Sequence, residues 1–472
     1  MKTIFKNFSY SFIANIVSLI ISVISIIIVP KIIGVSEFGY WQIYMFYVSY
    51  VGFFHFGHAD GVYLKYGGRD YKDLNRPLFV SQFWMLVIFE LFISIGVIFY
   101  SIVFVSDLHR EYILLITSLN LIIVIPKALL QFVLVSTNRI HENSRSIILE
   151  RILYGILAVI AILVGIRDYR YLIFIDLFAK IISLILTIYY CKEIVFGKSI
   201  SLKVGLAEAF DNIKVGISLM FSNIANRSII GIVRLGIERT WDVTTFAKVS
   251  LTLSVSNMLL LFINAVGTVL YPILRKTPNH KLPLIYKTMR NILIISFLGV
   301  IIVYYPANQI LSLWLPDYAD SLKYMALLFP ICLYESKMSM LVITYFNTLR
   351  KEKLMLKINI SILVLSIITT YITIRIFNNL TLTVLLITTL LAVRCVISEI
   401  VLSKILNISI SFDILIELAM TTIFILFAWF IKGYLGMLLY IFVYFLYVYI
   451  KRKEIDELIK LLILLLKNKK KI

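Results

Sequence analysis

Charged side chains lie inside long apolar stretches of this sequence, and their chemistry is the first clue to what the chain binds. The cations are Lys127, Lys180, Arg227, Arg234, Lys248, Lys337 and Arg394. The acids are Glu90, Asp176, Glu335 and, near the end of a stretch, Glu399. A charge at the centre of a membrane helix costs about 2.5–3.5 kcal/mol, so such residues normally face a protein interior or a wet cavity.

Two predicted helices bring cations and small polar residues onto one face. On the first, the spacing i, i+4, i+8, i+11 aligns Asn223, Arg227, Gly231 and Arg234. On the next, Lys248 shares a face with Thr245, Thr252 and Ser256. Arg227 lies deepest, whereas Arg234 has the alternative of snorkelling to the outer interface. A cationic wall suits an anionic ligand, because Arg binds phosphate oxygens in pairs and Lys supplies a point charge.

Further candidates lie on other helices, and each has a structural alternative. A polar stripe on the first helix, centred on Asn15 and continued by serines, fits either a cavity lining or a close helix–helix contact. Lys127 is a further candidate substrate-binding residue. His58, Asp60 and Glu90 are candidates for ion coupling, although His55 and His58 also suit satisfied interior positions. Asp176 and Lys180, four residues apart, favour a self-neutralising structural pair.

The elements that position these residues are apolar stretches of roughly twenty residues, enough to cross a ~30 Å hydrocarbon core. Hydrophobic residues make up 61% of the 472 and charged residues 15%, and the mean hydropathy is +0.95. The stretches do not alternate, so they indicate helices rather than barrel strands. We predict about fourteen spans at 10–30, 39–58, 78–105, 112–137, 146–166, 171–190, 214–236, 242–271, 290–306, 323–347, 354–374, 382–403, 412–431 and 434–450.

The net charge of +20 follows topology rather than a nucleic-acid surface. With the N-terminus inside, the cytoplasmic segments hold roughly thirty Lys and Arg and the outer loops about seven. An even number of spans puts both termini in the cytoplasm. We therefore expect a multi-pass membrane protein that contacts anionic membrane lipids and no nucleic acid.

A weak internal repeat organises the chain. Residues 11–65 align with 219–273 without gaps, so that Asn15 meets Asn223 and Phe38 meets Phe246. We predict an N-terminal six-helix bundle at 1–200, a C-terminal six-helix bundle at 201–406, an additional helix pair at 407–450 and a cytoplasmic amphipathic basic tail at 451–472. The two bundles are expected to surround a central cavity. The three cysteines have no metal or disulfide spacing, so free thiols are expected.

Several enzyme classes find no support in the sequence. It contains no GxxxxGK[ST] loop for ATP, no HExxH, no GxSxG and no convincing nucleophile–base set. We therefore expect a protein that is not an enzyme and that uses no metal or other cofactor. The energy source is then an ion gradient, the membrane potential or the flux of the substrate.

Two motifs carry a family resemblance. They are the first outer turn, Ile33-Gly34-Val35-Ser36-Glu37-Phe38-Gly39-Tyr40-Trp41, and Phe56-Gly57-His58-Ala59-Asp60-Gly61-Val62-Tyr63, which Lys65-Tyr66-Gly67-Gly68-Arg69 follows. Over the first ~75 residues, the chain resembles the Wzx-type flippases of O-antigen and other polysaccharide repeat units. These belong to the multidrug/oligosaccharidyl-lipid/polysaccharide exporter superfamily. The remainder resembles them only in architecture.

The resemblance implies alternating access by two bundles around a V-shaped cavity in which basic residues hold a lipid diphosphate. The expected substrate is an undecaprenyl-diphosphate-linked glycan for O-antigen, lipopolysaccharide or capsule synthesis. A polysaccharide polymerase and a chain-length regulator are expected partners. Arg227, Arg234 and Lys248 match the basic role by helix and face, not by a shared motif, and fourteen spans depart from the commoner twelve. A cation-coupled multidrug exporter and a membrane polysaccharide polymerase or glycosyltransferase are the alternatives.

Overall fold

Helices form nearly the whole chain. The computed structural model describes residues 2–275, 278–431 and 433–452, and every regular element within those ranges is helical. Each predicted span coincides with a helix, which confirms the all-α fold class. The helices are α1 Lys2–Ile27, α2 Val35–Val51, α3 Arg76–Phe104, α4 Leu108–Ser136, α5 Ile140–Leu163, α6 Tyr169–Tyr190, α7 Leu202–Thr240, α8 Val243–Arg275, α9 Leu282–Trp314, α10 Met325–Thr348, α11 Glu352–Ile376, α12 Leu380–Leu406, α13 Ser411–Phe430 and α14 Tyr434–Ile450.

Most of these helices have the length and composition of membrane spans. Within the described ranges, eleven helices are long and apolar enough to cross a bilayer, the first of them over Ile13–Ile33. The other three predicted spans fall on α2 and α14, each of 17 residues, and on α8, of 33 residues. The chain is therefore a multi-pass α-helical membrane protein.

Residues in the local sequence determine where several helices begin or end. The side chains of Asn75, Asp107 and Asp168 accept backbone N–H bonds at the starts of α3, α4 and α6. Asn379 does the same for α12, and Asn407 ends that helix in the left-handed conformation with φ of 52°. The side chains at the helix starts satisfy backbone N–H donors that would otherwise be unpaired. These polar residues set the short breaks between apolar stretches.

Two compact units divide the chain. The first comprises Met1–Arg227 and Trp241–Ser250, and the second comprises Ser228–Thr240 and Leu251–Ile472. The chain therefore passes from one unit to the other inside α7 and α8. The functional boundaries after residues 200, 406 and 450 stay predictions. The predicted basic tail lies outside the described residues from 453 onward.

In the first unit, α4 is the central element. It packs against α2, α3, α6 and the short helix His58–Tyr66. Leu121, Ile125 and Leu129 recur every four residues on α4 and are almost completely buried in one apolar cluster. This spacing puts them on one face of the helix. α5 pairs with α1 and α6 on another side of the same unit.

In the second unit, α9, α10, α12 and α13 enclose the core. α10 is the most deeply buried of the candidate spans, and it contains a π-helical segment at Lys337–Val342. α14 packs against α13. The repeat alignment agrees with the helix starts, because the offset that pairs Asn15 with Asn223 also pairs Val35 with Val243, the first residues of α2 and α8.

Candidate functional site

Arg227 lies within α7, close to the middle of the predicted span 214–236, and its side chain is exposed. Its Nη1 donates to the backbone oxygen of Ser49 across 3.4 Å, and its guanidinium carbon lies 5.8 Å from the centre of the Phe53 ring. The Tyr50 hydroxyl donates to the backbone oxygen of Arg227 at 3.3 Å. In the described part of the chain, Arg227 takes part in no ion pair. Of its five N–H donors, these contacts occupy one.

The other predicted substrate ligands lie at several places. Asn15 on α1 and Asn223 on α7 are exposed, and Lys248 on α8 is half-buried. All three belong to the first unit, together with Arg227. Arg234 is half-buried and belongs to the second unit. The grouping of these residues into one substrate site stays a prediction.

Lys127 is a buried member of a neutral pair. Its Nζ donates to a carboxylate oxygen of Glu150, so the pair joins α4 to α5. Buried charges are normally compensated in this way, because an unpaired charge loses its hydration without gaining a partner. The charge of Lys127 is therefore already balanced by an acid.

A second neutral network, around Asp176 and Lys180, confirms the predicted pair on α6. Lys180 Nζ lies 2.5 Å from Asp176 Oδ2 and donates to Asn120 Oδ1 at 3.1 Å. The Tyr44 hydroxyl donates to Asp176 at 2.6 Å and accepts from Asn120 Nδ2 at 3.1 Å. Since every charged and polar group of this closed set has a partner, the set stabilises the packing of α2, α4 and α6.

His58 and Asp60, two ion-coupling candidates, start the short helix His58–Tyr66 and are buried. His58 Nε2 lies 3.0 Å from Gln82 Oε1, which also accepts a hydrogen bond from Asn212 Nδ2 at 2.7 Å. The Gly57 N–H donates to His55 Nδ1, and the other ring nitrogen of His55 lies 3.7 Å from Asp60. A cavity of about 330 Å³ adjoins these groups, and its lining contains His55, His58 and Gln82 but no charged residue.

Glycines explain why this part of the chain packs so closely against α7. A Cβ placed on Gly61 would lie 1.8 Å from the backbone oxygen of Asn212, and one on Gly216 would lie 2.0 Å from the backbone oxygen of Gly57. Gly57 also has φ of +84°, which L side chains rarely adopt. Lys65 Nζ then donates to Glu208 at 2.7 Å on the same side of α7. The glycines of the second family motif are therefore packing residues.

Glu90, the third ion-coupling candidate, lies at the centre of α3. Its side chain is fully buried, and within the described residues neither carboxyl oxygen has a hydrogen-bond partner. This separates it from the embedded carboxyls of Asp176 and Glu150, which each have a lysine partner.

The second unit holds a buried quartet of charged side chains, of which the sequence indicated only two. Arg290 donates to Glu399 at 2.8 Å and to Glu417 at 3.2 Å. Lys337 donates to the same two carboxylates at 2.6 and 2.7 Å. Lys337 and Glu399 were recognised as embedded ionisable residues, but Arg290 and Glu417 were missed. The position of Glu417 inside the predicted apolar span 412–431 could have identified it as an embedded charge.

Among the described residues, no group of three or more His, Cys, Asp or Glu side chains could hold a metal ion. Cys191, Cys332 and Cys395 are buried free thiols. Arg394 Nη1 lies 3.4 Å from Glu335, so this embedded cation also has an acidic neighbour.

No protein-family model and no curated protein matches the chain. Solved structures do match. The lipid II flippase MurJ, in an inward closed conformation, has a TM-score of 0.66 at 15% identity, over 95% of this chain and 99% of that one. An inward-facing multidrug resistance MATE family transporter of the MOP superfamily has 0.64 at 14%, over 83% and 98%. The eukaryotic MATE transporter AtDTX14 has 0.52 at 14%, over 84% and 95%.

At such low identity these likenesses establish the fold. The chain is thus a multi-pass membrane protein with the fold of MOP superfamily transporters. Both a lipid flippase and multidrug transporters share that fold, so the substrate has to be argued from the residues.

Proposed function

We propose that this protein is a flippase for lipid-linked oligosaccharides. It moves an undecaprenyl-diphosphate-linked repeat unit from the cytoplasmic to the outer leaflet of the inner membrane, by alternating access, for the synthesis of a surface polysaccharide. The diphosphate binds Arg227, assisted by Arg234 and Lys248, while Asn15 and Asn223 contact the polar headgroup. The observation that carries the proposal is the exposed guanidinium of Arg227 inside an apolar span.

Five other embedded cations have surroundings that differ from those of Arg227. Lys127, Lys180, Arg290, Lys337 and Arg394 each lie within 4 Å of a carboxylate. Within the described ranges, the guanidinium of Arg227 has only a long bond to a backbone oxygen and an aromatic neighbour. An embedded cation is costly unless something compensates it. A phosphate oxygen pair supplies that compensation, because the guanidinium fork matches its geometry.

The proposed direction of transport agrees with the membrane potential. An inside-negative potential favours outward movement of negative charge by about 2.3 kcal/mol per charge per 100 mV. The same potential opposes outward movement of a cationic drug. A diphosphate substrate therefore gains from the potential, and a cation in the protein that moves with it would offset part of the gain.

The location and partners belong to the same proposal. Both termini lie in the cytoplasm, where the Lys- and Arg-rich loops meet anionic lipid headgroups. A polysaccharide polymerase and a chain-length regulator receive the translocated repeat unit on the outer side. These assignments rest on the charge pattern and the family resemblance.

Complementation in a strain that lacks the gene tests the proposal, at matched membrane levels of each variant. Arg227→Ala is expected to lose surface polysaccharide and to accumulate lipid-linked precursor, while Arg227→Lys retains part of the activity. Arg145→Ala, an exposed arginine on α5, is the matched control and should behave like wild type. Full activity of Arg227→Ala would refute the diphosphate site. Normal precursor translocation without the gene would refute the flippase.

The multidrug exporter stays the second candidate, because the inward-facing MATE structure has a TM-score of 0.64 against 0.66 for MurJ. Expression of the chain in a drug-sensitive strain separates the two. Protection against cationic drugs that survives Arg227→Ala would favour the exporter, since a drug cation gains nothing from that guanidinium.

A further inference from the structure

Glu90 has none of the partners that a buried carboxyl normally has among the residues that the structure describes. It lies in the middle of the 29 residues of α3, with 0% of its side chain exposed. Its sequence neighbours Leu91 and Phe92 are 45% and 69% exposed, whereas Phe89 lines the cavity of about 330 Å³ beside His58. Leu91 and Phe92 mark the outer face of the helix, so Glu90 points into the first unit.

Several charged groups on the elements around α3 have partners other than Glu90. On α4, Lys127 pairs with Glu150 and Arg110 lies 3.7 Å from Asp107. The short helix Lys192–Val195 contributes Glu193, which pairs with Arg76 at the start of α3. His58, from the short helix His58–Tyr66, contacts Gln82, two turns before Glu90. Among the described residues, no charged or titratable side chain bonds to Glu90.

The second unit provides an internal comparison. Glu399 is equally buried, but Arg290 and Lys337 both donate to it. A carboxylate in that setting keeps its charge because two cations replace its hydration. Glu90 has no such replacement, and an ionised carboxylate without water or a cation is strongly disfavoured inside an apolar medium. The neutral acid is the form that this environment accepts.

A hydroxyl lies within one helical turn of Glu90. Ser94 follows at i+4 on the same buried face, it is 1% exposed, and its Oγ has no hydrogen-bond partner among the described residues. A neutral carboxyl donates one hydrogen bond, and a hydroxyl oxygen accepts one. Glu90 and Ser94 therefore have complementary unused capacity.

We propose that Glu90 is a proton-binding site at the centre of α3. It holds a proton in this conformation and gives it up when the surroundings of α3 admit water. The bound ligand is a proton rather than a metal ion, because one carboxyl and one hydroxyl supply too few donors for a cation. That the protonation drives transport rests on the proposed function, but the protonation itself does not.

Carbodiimide labelling tests the protonation on the full-length protein in detergent. A neutral carboxyl adds across one C=N bond of dicyclohexylcarbodiimide: its oxygen bonds to the central carbon and its proton moves to nitrogen. Rearrangement to the N-acylurea leaves one whole reagent mass on the residue. At about pH 8, exposed carboxyls with an ordinary pKa of about 4.3 are ionised and unreactive.

The expected result is modification of the Glu90 peptide at that pH, no modification in Glu90→Gln, and no modification of the Glu399 peptide. An infrared difference between wild type and Glu90→Gln is the second measurement, because it detects a protonated carboxyl whether or not the reagent reaches it. Absence of the protonated-carboxyl band at neutral pH overturns the proposal.

Coupling is measured separately in proteoliposomes that carry a pH gradient. Glu90→Gln is expected to remove the effect of the gradient on translocation, whereas Gly96→Ala, at an exposed position of the same helix, keeps it. A gradient effect that persists in Glu90→Gln would overturn the coupling role and leave the flippase intact. Failure of translocation in wild type, with the protonated band present, would instead refute the proposed function alone.

Discussion

At the scale of single residues, embedded charges in this protein occur in three environments. Lys127 has one acid, Lys337 has two, and Glu90 has no partner within the described residues. Burial of a charge is tolerated when a partner replaces the water that the charge loses. The same principle therefore separates structural charges from residues with unused binding capacity, such as Arg227.

The quartet of Arg290, Lys337, Glu399 and Glu417 is neutral as a whole, and this makes each member indispensable. Glu417→Gln leaves one excess positive charge among side chains that are all at most 2% exposed. We expect a loss of about 3–5 kcal/mol, the usual cost of breaking a buried pair by removing one partner. Thermal unfolding in detergent would measure it.

A double variant shows whether charge balance is the cause. Lys337→Met with Glu417→Met removes one charge of each sign and should be more stable than Glu417→Gln alone. Glu352→Gln, an exposed acid at the start of α11, is the control and should unfold like wild type. Wild-type stability of Glu417→Gln would contradict the packing of α13 described above.

Gly61 supplies a second prediction at the residue scale. A Cβ at this position would overlap the backbone oxygen of Asn212, and backbone cannot move aside as a flexible side chain can. We expect Gly61→Ala to reduce folded protein strongly, measured as the monodisperse fraction in size-exclusion chromatography. Gly96→Ala is the control, because nothing lies within 4 Å of a Cβ there and Ala favours a helix by about 1 kcal/mol. Equal yields of the two variants would refute the close approach.

At the scale of elements, the helix pair α13–α14 is tied into the second unit. Glu417 of α13 reaches Arg290 and Lys337, and the same helix offers Asp413 to Lys451, which follows α14, at 2.5 Å. The Tyr440 hydroxyl of α14 donates to the backbone oxygen of Leu298 in α9. The pair predicted as an addition is therefore part of the core of its unit.

Removal of residues 407–472 tests this role of the pair. The truncated chain would keep Arg290 and Lys337 but lose Glu417, so one buried cation would have no counter-charge. We expect little folded protein to accumulate, as measured by in-gel fluorescence of a fusion. Adding Lys337→Met to the truncated chain should restore part of the yield. A truncated chain as abundant as the full chain would show that the pair is dispensable.

The elements show where sequence reasoning succeeds. Apolar length locates α3 and α12, and Asn75 and Asn379 mark their starts, because both signals are local. The meeting of Arg290 with Glu417 is not local: 127 positions separate them, and only the packing of α9 against α13 brings them together. The sequence also could not predict that Glu90 lacks a hydrogen-bond partner among the described residues. A sequence shows that a residue is embedded but not which groups surround it.

At the scale of the whole molecule, the excess of Lys and Arg in alternate loops predicts which side each loop occupies. That orientation is independent of the fold, because the same bundle could insert either way, and the positive charge near the span ends decides between the two. The net charge of +20 thus comes from Lys and Arg in the loops. It indicates the orientation of the protein and does not determine where the apolar spans lie.

Cysteine accessibility in intact cells checks the orientation. Arg167 lies exposed between α5 and α6, and Lys198 lies exposed between α6 and α7. We expect a membrane-impermeant maleimide to label Arg167→Cys in intact cells but Lys198→Cys only after lysis. The wild-type chain is the control and should give little signal, because its three cysteines are buried. The reverse pattern would place both termini outside and would also reverse the direction in which the membrane potential assists an anionic substrate.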